Sequence, residues 1–132
     1  MCGTGQLTRE LYHRGYRCVG LDAAKSSIRI AESLTAVPQD KLLYRQFDIE
    51  HDRLADLPSQ QYSLITCKLV YAFITRVKQL LAPSGIFVVI TPHADDTPET
   101  WRGIAVNDNE FKILTDSFKN QIPIRKTLQD IL

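Results

Sequence analysis

A doubly wound α/β fold with a mostly parallel sheet is the architecture this sequence predicts, and three observations predict it. Strand-like apolar runs alternate with helical patterns along most of the chain. Cys2-Gly3-Thr4-Gly5 forms a tight glycine turn that leads straight into a helical pattern. Asp22, seventeen residues after Gly5, closes the next strand with a carboxylate. Such a turn lets backbone approach a ligand closely, and such an acid accepts hydrogen bonds from ribose hydroxyls. Together they are how folds of this kind hold an adenosine-containing cofactor. No strand stands ahead of the turn, so the sheet is expected to be incomplete.

Each element has a local reason. Gln6 to His13 reads as a helix, with Leu7 and Leu11 one turn apart and Gly15 as its stop. Arg17 to Leu21 is a short strand. Ala24 to Leu34 repeats the helical period through Ile28, Ala31 and Leu34; Ser26 and Ser27 suit its first turn, and Pro38 closes the unit. Leu42 to Phe47 is the second strand. The acidic stretch from Glu50 to Gln61 is a surface loop with one short turn near Leu54 to Leu57. Tyr62 to Cys67 carries few charges, as a strand covered on both faces would. Leu69 to Leu81 reads as one helix, stopped by Ala82-Pro83-Ser84-Gly85, and Ile86 to Ile90 is the strongest strand pattern. Beyond Pro92 the pattern weakens. A helical turn is expected over Thr97 to Trp101, a helix with an Asn or Asp cap over Asp108 to Phe118, and an edge-like strand over Ile122 to Leu128.

Composition narrows the class. With 132 residues the chain reads as a single domain over 1–132, with no internal repeat, linker or low-complexity tract. It is 44% hydrophobic and 23% charged, ordinary for a globular protein. Sixteen Lys and Arg against fifteen Asp and Glu leave a net charge of +1 with no basic block, so nucleic acid is not the expected partner. No run nears the roughly 20 apolar residues of a membrane helix, and no leader pattern opens the chain. Cys2, Cys18 and Cys67 are odd in number and lack metal-like spacing, which points to a reduced, cytoplasmic protein without a metal site.

Several segments in order carry a family resemblance: Cys2-Gly3-Thr4-Gly5, Asp22, Phe47-Asp48-Ile49, Tyr62-Ser63-Leu64-Ile65 and Leu80-Leu81-Ala82-Pro83-Ser84-Gly85-Ile86. The chain resembles class I S-adenosylmethionine-dependent methyltransferases, with a Rossmann-like sheet, over Cys2 to Pro92. The glycine turn alone is a weak signal; the ordered set is far more specific. The resemblance implies S-adenosylmethionine as cofactor. Cys2, Gly3, Thr4 and Gly5 would lie against its methionine part, and Asp22 would take both ribose hydroxyls. Asp48 would accept from the adenine amino group with Ile49 beside the ring, and Cys67 and Lys68 would face the methionine and substrate region.

The sequence also departs from the family pattern. The family motif opens with acid-x-Gly, and Met1 stands at that glycine's position; the acid and the central strand before it are lacking, which would leave two neighbouring strands short of ladder partners. About a dozen residues separate Cys67 from the Leu80-Leu81 turn, a compressed connection, and the usual closing strand pair is absent. The reading is a trimmed methyltransferase domain.

Plainer roles stand beside the functional ones. The glycine turn could be a terminal loop, Asp22 a strand-ending residue that caps the next helix, and Asp48 with Glu50 a solvated loop. A dinucleotide dehydrogenase would need a third glycine where Thr8 stands. His93, Lys68 and Tyr71 are weak candidates for catalysis, since each could simply face solvent. Cys67 fits packing better than nucleophilic attack, and Trp101 could fill core or cover a pocket. Methyl transfer needs little acid-base machinery, because alignment with a sulfonium supplies much of the acceleration. Neither an Asn-Pro-Pro-Tyr motif nor a Pro-Cys nucleophile follows the third strand, so a small-molecule acceptor is expected rather than a DNA base. The alternative is a non-catalytic remnant that has lost tight cofactor binding and works through a partner, with exposed strand edges offering a route to self-association.

Overall fold

A computed structural model describes residues 2–36, 41–68, 73–100 and 105–118. Helix α1 (Gln6–His13) is followed by strand β1 (Cys18–Asp22), α2 (Lys25–Ser33) and β2 (Leu42–Gln46). After a short 3-10 turn at Leu54–Asp56 come β3 (Tyr62–Lys68), α3 (Ile74–Leu80) and β4 (Leu81–Ile90). A second 3-10 turn at Ala94–Asp96 leads on to α4 (Asp108–Asp116). The expected helix over Leu7 and Leu11 is α1, ended by Gly15 at φ 99°, a left-handed value that favours glycine. No described helix is long and apolar enough to cross a membrane.

The sheet is parallel and divided. β1 pairs with β2 in register from Cys18 opposite Leu42 to Asp22 opposite Gln46. β3 pairs with β4 from Leu64 opposite Ile86 to Lys68 opposite Ile90. Among the described residues these are two two-stranded sheets, the incomplete Rossmann-like arrangement that the sequence predicts. Asp22 turns its carbonyl toward Phe47 at 2.9 Å, so by alternation Leu21 turns its own away from β2. There it accepts the Cys2 N–H at 2.7 Å, which brings the glycine turn against β1. Each ladder bond forgone at such an edge costs about 1 kcal/mol.

Two apolar clusters hold these layers. Ile28 and Ala31 of α2 pack on Leu42 and Tyr44 of β2, with Tyr12, Cys2 and Cys18 around them. The second joins the half-sheets: Phe47, Leu57 and Leu80 are buried together, with Leu21 of β1 and Ile65 of β3 against them. Burying one such side chain contributes about 1.5–3 kcal/mol, so this shared cluster outweighs several missing ladder bonds.

Two elements differ from the sequence reading. α3 is described only from Ile74, and Leu81 is already in β4, opposite Tyr62. The register then shifts: Ala82 to Gly85 stand opposite Ser63 alone, so the expected turn survives as a bulge within the strand. Pro83 has no N–H to give the ladder, which suits it to such a bulge. The second difference is an added turn: a 3-10 turn forms at Ala94–Asp96, where the His93 ring accepts the Asp95 amide, ahead of the turn expected over Thr97 to Trp101, in which Glu99 and Thr100 take 3-10 conformation. Trp101 and the strand expected over Ile122 to Leu128 lie outside the described residues. Ile86, Val88 and Ile90 alternate along β4 and are exposed, so among the described residues that face of the sheet is uncovered, contrary to the expectation of two covered faces.

The Asn cap of α4 is present as a capping box. Asn107 Oδ1 accepts the Glu110 amide at 2.9 Å, and Glu110 Oε2 accepts the Asn107 amide at 3.0 Å. Asn107→Ala is expected to lower stability by about 1 kcal/mol, read from the midpoint of urea unfolding.

Candidate functional site

The carboxyl ends of β1 and β2 and the glycine turn meet at one edge of the molecule. Register alone places Asp22 and the Phe47-Asp48 step side by side, because Asp22 pairs with Gln46. Ligands of open α/β sheets collect at such strand ends. The turn closes with the Gly5 amide donating to the Cys2 carbonyl at 3.0 Å, and Gly3 and Gly5 both take left-handed φ, 54° and 81°. The two glycines serve different ends. A Cβ on Gly3 would meet nothing within 4 Å, whereas one on Gly5 would lie 2.5 Å from the Tyr44 hydroxyl oxygen.

Asp22 is 6% exposed and is the hinge of the site. Its Oδ2 accepts the Gly3 amide at 2.9 Å, and its Oδ1 accepts the Ala24 amide at 2.9 Å. One carboxylate thus ties the glycine turn to β1 and fixes the start of α2. The N-cap of α2 is Ala24, without a side-chain cap bond, so Asp22 holds the residue at which the helix begins and does not cap its first-turn amides. Each carboxylate oxygen keeps a further lone pair, so ribose hydroxyls could still be accepted.

Tyr44 is the residue that motif reading misses. Its buried ring lies between Gly5 and Gly20; a Cβ on Gly20 would come within 2.6 Å of it. Its hydroxyl donates to the Gly5 carbonyl at 3.3 Å and accepts from Thr35 at 3.2 Å, while Thr35 is shared with the Ala31 carbonyl at 2.6 Å. The available signal was Gly20 itself, since a glycine inside a strand marks a close approach.

Asp48 heads a closed loop rather than standing free. Its Oδ1 accepts the Glu50 amide at 2.9 Å and its Oδ2 faces His51 Nδ1 at 2.8 Å. Its own amide donates to Asp52 Oδ2 at 2.8 Å. The His51 hydrogen bond holds the Asp48 carboxyl below the usual carboxylate range, and Asp48 in turn raises the His51 imidazole. The pair's contribution to stability is therefore complete between the two unfolded-state pKa values. It is lost as pH falls through the folded Asp48 value, and lost again as pH rises through the folded His51 value. An NMR titration should find His51 above the ordinary imidazole midpoint and back near it in Asp48→Asn.

The remaining candidates are placed as follows. Cys67 is 8% exposed at the end of β3, and burial pushes its thiol up, which suits packing and not a thiolate nucleophile. Lys68 ends β3 opposite Ile90. Tyr71 lies outside the described residues. The His93 side chain is 10% exposed; Nδ1 accepts the Asp95 amide at 3.2 Å and Nε2 faces Asp108 Oδ1 at 3.0 Å. Nε2 thereby joins the segment after β4 to the start of α4, while Nδ1 holds the local turn, and His93 also forms a parallel bridge with Val106. Asp48, Glu50 and His51, and separately His93, Asp95 and Asp108, bring metal-ligand atom types close together, but in both groups the imidazole is already engaged by a carboxylate.

A family model described as "Methyltransferase domain" matches residues 1–89, the span that holds the turn, Asp22, Asp48 and both half-sheets. The chain belongs to that methyltransferase family. Solved structures agree in fold. An S-adenosylmethionine dependent methyltransferase from Mesorhizobium loti is similar with a TM-score of 0.58 at 24% identity, over 72% of this chain and 45% of that one. The plantazolicin methyltransferase BpumL, in complex with a pentazolic desmethylPZN analog and SAH, gives a TM-score of 0.65 at 17% identity, over 86% of this chain and 51% of that one. BpumL in complex with SAH alone gives 0.58 at 16%, over 98% and 49%. At these identities the likeness carries the fold. The methyltransferase domain described here spans about half the length of those structures. No curated protein matches it.

Within this methyltransferase domain the structure brings Cys2, Gly3, Thr4, Gly5, Asp22, Asp48 and Ile49 to the strand ends of β1 and β2. Cys67 and Lys68 end a strand of the other half-sheet.

Proposed function

We propose that this methyltransferase domain binds S-adenosylmethionine and transfers its methyl group to a small-molecule acceptor. One observation carries the reading: a buried carboxylate, Asp22, is bonded to the amide of a glycine turn at the carboxyl end of a parallel strand. The residues present fit the cofactor. Gly3 leaves open space beside the turn, Asp22 has acceptor capacity left for ribose, and Asp48 and Ile49 stand at the next strand end where an adenine would lie. Held by the Gly3–Gly5 turn and Asp22, the cofactor would supply an electrophilic methyl carbon on a sulfonium leaving group. The chain's own residues then need only hold and align, so the reading requires no acid-base dyad.

Incubation with methyl-labelled S-adenosylmethionine and a panel of amine, hydroxyl and thiol acceptors tests the catalytic half of this reading. Label on an acceptor is expected, and S-adenosylhomocysteine formed in step with it. Cofactor binding without label on any acceptor would count against transfer. A folded chain that neither labels an acceptor nor binds the cofactor tightly would favour the second reading, a non-catalytic remnant that works through a partner. The divided sheet supports that alternative, since β1 and β3 each have one strand partner among the described residues. Light scattering separates the two further: obligate association supports the remnant, and a stable monomer weakens it. A cytoplasmic location goes with either reading.

A further inference from the structure

We propose that Arg76 of α3 is the positioning residue for adenine recognition, acting by holding the Asp48–Asp52 loop in the shape that presents Asp48 and Ile49. The inference rests on the cofactor reading above. Arg76 Nε donates to the Ile49 carbonyl at 2.7 Å, and a terminal guanidinium nitrogen donates to the Asp52 carbonyl. The loop between them is a closed turn, with the Asp52 amide on the Asp48 carbonyl at 2.9 Å and the Asp48 amide on the Asp52 carboxylate at 2.8 Å. A planar guanidinium fork can span two carbonyls set by one turn, where an ammonium offers only a point charge.

Charge adds to the geometry. Asp48, Glu50 and Asp52 put three carboxylates into five residues, with His51 beside them. The Arg76 cation reaches over this group from a different element and sits half-buried. Its own position is fixed, because Val77 and Leu80 of the same short helix are buried. Without Arg76, the Ile49 and Asp52 carbonyls lose their charged donor and the acidic loop is less restrained. The adenine-competent loop then becomes a fraction of the population, and apparent affinity falls by that fraction. Arg76 touches no ligand in this account. It acts through Asp48 and Ile49.

The test compares two ligands on the full chain by calorimetry: S-adenosylhomocysteine, and S-inosylhomocysteine, in which an oxo group replaces the adenine amino group. A hydrogen bond from that amino group to the Asp48 carboxylate should make the wild type prefer the adenine ligand by about tenfold or more. Arg76→Ala is expected to weaken the adenine ligand by about tenfold and the inosine ligand far less, so the preference collapses. Arg76→Lys, which keeps the charge but not the fork, should lie between, and it supplies the answer if the alanine variant does not fold. A variant that melts earlier but keeps the full preference overturns the inference and leaves the cofactor reading standing. A wild type that binds both ligands equally overturns adenine recognition by this loop. A wild type that binds neither overturns the cofactor reading itself.

Discussion

Gly5→Ala is expected to cripple both the stability and the ligand binding of this domain. Two costs fall on one methyl group. At φ 81° an alanine pays about 1–2 kcal/mol for a left-handed backbone. The new Cβ would also sit 2.5 Å from the Tyr44 hydroxyl oxygen and 2.8 Å from its ring, and relieving such an overlap costs about 1–3 kcal/mol. The ring cannot yield easily. Gly20 of β1 also lies close against it, and the hydroxyl is held by Gly5 and Thr35. Gly3→Ala is the control, with φ 54° but open space around its Cβ, so only the backbone cost applies. Urea unfolding should therefore rank wild type above Gly3→Ala and Gly3→Ala above Gly5→Ala. Equal losses at the two glycines would mean that Tyr44 does not fix the height of the turn.

The second large effect is at Asp22. Asp22→Ala removes the charged acceptor of two backbone amides, Gly3 and Ala24, and a hydrogen bond to a charged group contributes about 1.5–3 kcal/mol before water replaces part of it. On the proposed ribose contact, S-adenosylhomocysteine affinity should fall by a further 1.5–3 kcal/mol, about the range of hydrogen bonds to a charged group. Asp22→Asn separates these contributions. It keeps the size and one acceptor oxygen but presents an amino group where an oxygen received an N–H, so it should retain part of the stability and less of the binding. Calorimetric titration of samples shown to be folded by circular dichroism reads the binding term directly. Unchanged affinity in Asp22→Ala would remove the ribose assignment and leave Asp22 a purely structural tie.

Much of this was legible where the cause is local. Leu7, Leu11 and Gly15 define α1 by spacing and stop alone, and Asn107 announces α4 by its cap. Asp22 was legible because a glycine turn and a strand-ending acid at that separation constrain each other. What escaped depends on chain brought in from elsewhere. Leu81 has a helical spacing with the residues before it, yet β3 recruits it opposite Tyr62. Periodicity within α3 cannot register that pairing. Tyr44 and Arg76 belong to no motif; they matter because β2 lies under the glycine turn and α3 lies beside the acidic loop. His93 read as a weak catalytic candidate that could face solvent, and only the fold brings Asp108 to its Nε2. Asp48 was found by resemblance, but its engagement by His51 three residues on was not.

The divided sheet bears on function through the shared core. Phe47 leads directly into Asp48 and is buried with Leu21, the neighbour of Asp22, and with Leu80 of the helix that carries Arg76. The apolar cluster that joins the half-sheets therefore also packs beneath the β1 and β2 strand ends, whose register sets the two acids side by side. Stability and ligand geometry are coupled there, which is why variants at the site need an unfolding measurement beside every affinity.

The most direct test of the central claim is calorimetric titration of the 132-residue chain with S-adenosylhomocysteine. The account predicts saturable binding of one ligand per chain in the micromolar range, weakened by Asp22→Ala. A sample that is folded by circular dichroism and yet gives no binding heat would contradict it.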